Sequence, residues 1–330
     1  MSLEATKSNI IRELFVRTAD ENYITARWCA LNNFYTDFLW LSLHALEKYL
    51  KAVLLANGRT SKVDAAGQLY KHGIDRLYAD VKVIAGSLLP DQMTKPASLN
   101  NSYWVDRSAV EFIAHLSRNG NADNRYLLYG YVTHSQDLYM LDQIVFSVRR
   151  LICPLDNIIP FGNGTISATI TFREALTKNP QYYARMFMPL DNIIFSPSQA
   201  YDTFSTSGPF RRLWTAVVLT VRHCFCAAET SAGDDASPRT AVLNGNWAFA
   251  PPGFPHTPLR EGSSARNPAI LRYVLEPLGS TDPHHAAEGI KVAEWLLDNV
   301  VIPKGPAGEP GLQDQIKQAI KDAKTRLGTR

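Results

Sequence analysis

The stretch from Phe38 to Asn57 limits the possible folds more than any other part of the chain. Leu39, Leu43, Leu46, Leu50, Val53 and Leu54 recur at spacings of three and four. That pattern lays one apolar stripe along an α-helix and does not fit the alternation of a half-buried strand. Thr36 or Asp37 can cap the start, and Asn57-Gly58 can end it, with Gly58 supplying the left-handed residue that closes a helix. A stripe of this kind is buried against neighbouring helices. The opposite face carries His44, Glu47, Lys48 and Lys51. Glu47 and Lys51 stand four apart in the favourable order for an ion pair, worth about 0.3–0.5 kcal/mol.

Other segments of the first half carry the same period. Asp20 is a candidate N-cap for a helix over Glu21–Phe34, with Tyr23, Ala26, Ala30 and Phe34 on one face. A helix over Gln68–Leu89 is expected to stop before Pro90, and one over Trp104–Leu116 to break at Asn119-Gly120-Asn121. Gln136–Leu151 has Leu138, Leu141, Ile144, Val145, Val148 and Leu151 on one stripe and Arg149-Arg150 at its end, where cations are favoured. After Cys153-Pro154 the chain is punctuated by Pro and Gly. Thr165–Phe172 alternates like a short strand, while Phe172–Leu176, Pro180–Met188 and Pro283–Val300 have helical patterns. Phe210–Phe225 is an apolar segment, expected as a buried helix with a strand as the alternative. Pro303–Pro310 is a linker, and Leu312, Ile316, Ile320 and Leu327 stripe a basic terminal helix. The expected fold is mainly α: an antiparallel bundle over 18–152, a helix-rich region with Pro/Gly-rich loops over 153–302, and a linker with an amphipathic helix over 303–330. Pro-Leu-Asp-Asn-Ile-Ile occurs at 154–159 and again at 189–194, which suits two similar turns, each followed by a packing Ile-Ile pair.

The chain has 330 residues, more than one compact core usually holds, so two domains are the first expectation. Net charge is +3, too small to argue for nucleic acid without local clustering of Lys and Arg. Four cysteines in this length exclude a small disulfide scaffold. Met1–Ile11 lacks the pattern of a secretory signal, and no apolar run approaches the roughly 18 residues of a membrane span. A reducing cytoplasm is the expected compartment, with no membrane association.

One segment, Asp37-Phe-Leu-Trp-Leu-Ser-Leu-His-Ala-Leu-Glu-Lys-Tyr-Leu-Lys-Ala-Val-Leu-Leu-Ala-Asn-Gly58, resembles the second helix of HEPN domains, through Glu47-Lys48, a two-residue step, and Lys51-Ala52. Tyr23–Arg27 is similar to that family's first helix, His72–Leu77 to the start of its third, Asn124-Arg125-Tyr126 to an Arg-Tyr pair before the last helix, and Gln136–Leu151 to the last helix itself. The resemblance covers about 135 residues. It implies a four- or five-helix bundle, usually a homodimer, of the kind found in prokaryotic defence, toxin–antitoxin and RNA-processing systems, where members cleave RNA without metal, bind nucleotides, or accompany a nucleotidyltransferase or an antitoxin. Ribonuclease members carry Arg, four to six residues, then His on the last helix. Here Arg107 and His115 are separated by seven residues, Arg125 and His134 by eight, and Gln136–Leu151 has no His. The resemblance therefore implies an RNA- or nucleotide-binding protein without the usual ribonuclease pair.

Metal-free RNA cleavage needs a base for the 2′-hydroxyl and a cation for the phosphorane, and Arg125 with His134 is the candidate catalytic pair if that stretch is helical. The candidate nucleotide- or RNA-binding residues are His44, Glu47, Lys48, Lys51 and His72, with the lysines as phosphate-binding charges. A solvated helix face with one ion pair is the plain alternative. His223-Cys224-Phe225-Cys226, even with His284-His285, has poor spacing for zinc, and buried thiols suit it better. No metal site and no cofactor is expected, and no phosphate-binding Gly loop or nucleophile elbow is present. Arg149-Arg150, Arg211-Arg212 and the last helix offer a basic surface if they lie close in space. A third reading is an interaction module whose Leu312–Leu327 stripe docks a partner helix.

Overall fold

A computed structural model describes residues 2–95, 104–121, 124, 130–134, 136–159, 170–178, 268–302 and 311–328. These residues belong to one compact unit, and residues 188–265 lie outside the described residues. The described part is mainly α. Among the described residues extended pairing is limited to isolated bridges, Val63 with Leu69, Gln92 with Ser108 and Ile158 with Thr171.

The chain enters through α1 (Leu3–Ile11), capped by the Ser2 hydroxyl, which accepts from the Ala5 amide at 3.3 Å. A π-helical turn over Arg12–Val16 carries it without a break into α2 (Arg17–Leu31). Asp20 is therefore inside a helix and caps nothing. It accepts instead from the Tyr49 hydroxyl at 2.5 Å and from both ends of the Arg149 guanidinium at 2.7 Å. The turn after α2 uses Asn33 at φ 63. It leads into α3 (Tyr35–Ala56), a rod of 22 residues, about 33 Å long. Tyr49 meets Asp20 and Lys48 reaches the Thr18 carbonyl, so α2 and α3 run antiparallel.

All six stripe residues of α3 are at most 2% exposed. Fully burying such side chains is worth about 1.5–3 kcal/mol each. Around α3 pack α2, α4 (Ile74–Ala85), α5 (Ala109–Asn119) and α6 (Asp137–Arg149). Gly58 ends α3 at φ 72, the role expected of it. Two helices are shorter than their apolar patterns predict. Asp64 folds 64–68 into a turn by accepting from the Ala66 and Gln68 amides, and Lys71 is left-handed at φ 50, so α4 begins only at Ile74. Ser108 and Glu111 form a reciprocal capping box that starts α5 five residues after Trp104.

The remaining described helices are α7 (Phe172–Lys178), α8 (Pro283–Asn299) and α9 (Leu312–Gly328), with a helical stretch through Pro268–Gly279 before α8. Ile290, Ala293, Leu296, Ile316, Ile320 and Ala323 share one buried cluster with Ile10, Ile11, Ala52 and Leu55. The stripe of α9 is thus covered by this chain's own helices. The Ser61 hydroxyl donates to the Asn299 carbonyl at 2.7 Å, and Asn57 holds both the Cys153 carbonyl and the Leu155 amide. The first Pro-Leu-Asp-Asn copy is a turn, closed by the Asn157 amide on the Pro154 carbonyl at 2.9 Å; Ile158 is 59% exposed, so the expected Ile-Ile packing is not made there. The second copy and the segments 165–169, 180–188 and 210–225 lie outside the described residues. No described helix is long and apolar enough to cross a membrane.

Candidate functional site

Four of the five residues expected at a binding site come together. His44 and Glu47 stand one turn apart on α3, and the loop before α4 brings His72 over them. Glu47 Oε2 lies 3.0 Å from His72 Nδ1 and 3.6 Å from His44 Nδ1, while Lys51 Nζ donates to Oε1 at 2.6 Å. Burial of Glu47 raises its carboxyl pKa, but contacts with His44, Lys51 and His72 outweigh that and hold it down at about 2. It is a carboxylate at any pH near neutrality. Lys51 also reaches the Lys71 carbonyl at 3.4 Å, tying the loop to the helix. Arg76 adds a second tie through the Leu69 and Tyr70 carbonyls. The ring of Trp40 crosses that of His44 at 77° with centroids 4.1 Å apart, and His44 and His72 follow at 6.0 Å. The His72 side chain is 70% exposed, so the group opens to solvent on that side.

Lys48 does not join the group. Its ammonium turns to the Thr18 carbonyl at 3.4 Å, and burial lowers its pKa, with Glu21 and Glu47 acting in the opposite direction. Arg125, the expected partner of His134, lies outside the described residues. His134 belongs to a second cluster. Asp137, 1% exposed in the first turn of α6, accepts from Arg107 Nη1 at 3.3 Å, His115 Nε2 at 3.0 Å and the His134 amide at 2.8 Å. His115 Nδ1 faces the Asn119 amide nitrogen at 3.2 Å. Both ring nitrogens of His115 are therefore occupied, which suits a clamp between α5 and α6 better than a proton shuttle. The rings of His115 and His134 are 5.9 Å apart.

No family model matches the chain, and neither a curated protein nor a solved structure matches it. The residues alone bear on function.

Asp137, Arg107 and His115 escape a reading of the sequence because Asp137 meets them across separations of 30 and 22 residues. The only local signals are the acidic first turn of α6 and the four-residue spacing of His115 and Asn119. Trp40 lies one turn before His44 and is recoverable from helical spacing. The sequence groups Arg149 and Arg150 with an exposed basic surface. Arg149 is instead buried on Asp20, and Arg150 donates to the Leu88 carbonyl at 2.7 Å. Arg211-Arg212, Cys224 and Cys226 lie outside the described residues, and His284 and His285 are exposed at the start of α8.

Proposed function

We propose that this chain binds RNA or a nucleotide through the His72 side of α3, as a HEPN-type helical protein without the family's ribonuclease pair. The observation that carries the reading is the row of rings Trp40, His44 and His72 beside Lys51 and the exposed Lys71. A base stacked on such a ring is worth about 1–3 kcal/mol, and a nearby ammonium serves as a point charge for phosphate. The order of the matching segments along the sequence is the ground for the family resemblance, and a homodimer is the assembly that resemblance carries. Fluorescence polarisation with short labelled RNAs and calorimetry with nucleoside triphosphates test the reading. Binding weakened about tenfold by Trp40→Ala or His72→Ala is the expected result. Silence in both assays overturns it.

A second reading, metal-independent RNA cleavage, has one observation in its favour. The His134 and His115 rings lie 5.9 Å apart, which places two imidazoles side by side. Incubation of the protein with total RNA, alongside His134→Ala and Arg125→Ala, separates it from pure binding. Cleavage abolished by either change, with chelator present, selects the enzyme.

A further inference from the structure

We propose that His44, Glu47 and His72 form a binding site for a divalent transition-metal ion of the zinc class. One nitrogen from each imidazole and one oxygen of the carboxylate lie within 4.8 Å of one another. Tetrahedral coordination at about 2.0–2.1 Å places ligand atoms about 3.3 Å apart. The separations from Glu47 Oε2, 3.0 Å to His72 Nδ1 and 3.6 Å to His44 Nδ1, bracket that value. Two imidazoles and one carboxylate suit zinc, iron, cobalt or nickel rather than magnesium or calcium, which prefer all-oxygen shells.

The surroundings have the features of a built site. His44 and Glu47 are held by the rigid backbone of α3, and their neighbours on its other face are core residues. His72 is delivered by a loop that takes a left-handed backbone at Lys71, a conformation that costs a non-glycine residue free energy. Lys51 grips Oε1 while both histidines contact Oε2, so it orients the carboxylate through its other oxygen. Outer contacts of this kind commonly fix metal ligands. Exposure of His72 leaves a fourth coordination position facing solvent, as in zinc centres that exchange a water for substrate. The inference goes beyond nucleotide binding and does not depend on it.

The test uses the full-length protein stripped with chelator, then titrated with Zn²⁺ by calorimetry and with Co²⁺ by visible absorption. One equivalent of ion is expected, with Co²⁺ showing the d–d bands of a four- or five-coordinate site and no thiolate charge-transfer band. His72→Ala, at an exposed position, is expected to weaken binding by about a hundredfold, and Lys51→Ala by about 10–100-fold. Circular dichroism verifies that each variant is folded. Absence of uptake, a thiolate band, or an ion retained undiminished in His72→Ala overturns the site. Nucleotide titrations repeated in chelator report on the other proposal separately.

Discussion

At the scale of single residues, buried polar groups set the strongest expectations. Arg27 is 2% exposed and forms an ion pair with Asp142, and Asp142 also accepts from the Tyr23 hydroxyl at 2.6 Å. Removing one partner of a buried pair strands the other charge, at about 3–5 kcal/mol. Asp142→Ala is therefore expected to destabilise by that amount, read from urea unfolding, and to do so more than Asp156→Ala, whose exposed pairing with Arg173 is worth little. Tyr23 and Tyr49 give a pH signature. Burial, followed by the charges of Asp142 and Asp20, raises both hydroxyls well above their usual value of 10.0. The folded chain keeps protons that the unfolded chain releases above about pH 10, so this stability is complete below that pH and lost above it. The urea midpoint should fall between pH 9 and pH 11 (about two units spanning the tyrosine range), and Tyr49→Phe should flatten the fall. Burial also pushes the thiols of Cys29 and Cys153 up to about 12. Both should resist iodoacetamide at neutral pH and react only after denaturation, as read by peptide mass spectrometry.

At the scale of elements, helix ends and close crossings decide which substitutions matter. The Ser108–Glu111 box satisfies two backbone donors at the start of α5. Ser108→Ala should cost about 0.5–2 kcal/mol, with Ser108→Asp largely neutral, as read from thermal midpoints. Gly289 in α8 lies against the residues that precede that helix: a Cβ there would stand 2.8 Å from the Pro277 Cβ and 2.9 Å from its carbonyl carbon. Since backbone cannot move aside cheaply, Gly289→Ala should lose about 1–3 kcal/mol although alanine is the better helix former. A neutral result would show that α8 can slide away from Pro277.

At the scale of the whole molecule, the first and last described helices complete one core. Ile10 and Ile11 near the start of the chain bury with Ile316, Ile320 and Ala323 near its end. Deleting residues 312–330 should uncover that cluster, lower the thermal midpoint and increase binding of a hydrophobic dye. Ile316→Ala, which removes a fully buried side chain, should cost about 2–5 kcal/mol without loss of secondary structure. An unchanged midpoint in the deletion would show that α9 contributes nothing to the folded core.

Much was legible along the chain because helical periodicity is local. The α3 stripe, its Gly58 stop, α6, α8 and α9 follow from spacings of three and four, and so does the shared face of His44, Glu47 and Lys51. Helix starts were less legible, since caps and turn residues compete within a few positions, as at Asp20, Ser108 and Lys71. Partners far apart in sequence were decided only by packing. Nothing local says that His72 lands on Glu47, that Asp137 gathers Arg107 and His115, or that Asp20 draws Arg149 inside. Side chains at such separations have no common period. Their meeting is a consequence of how whole helices cross to bury their apolar stripes, and that crossing exists only in three dimensions.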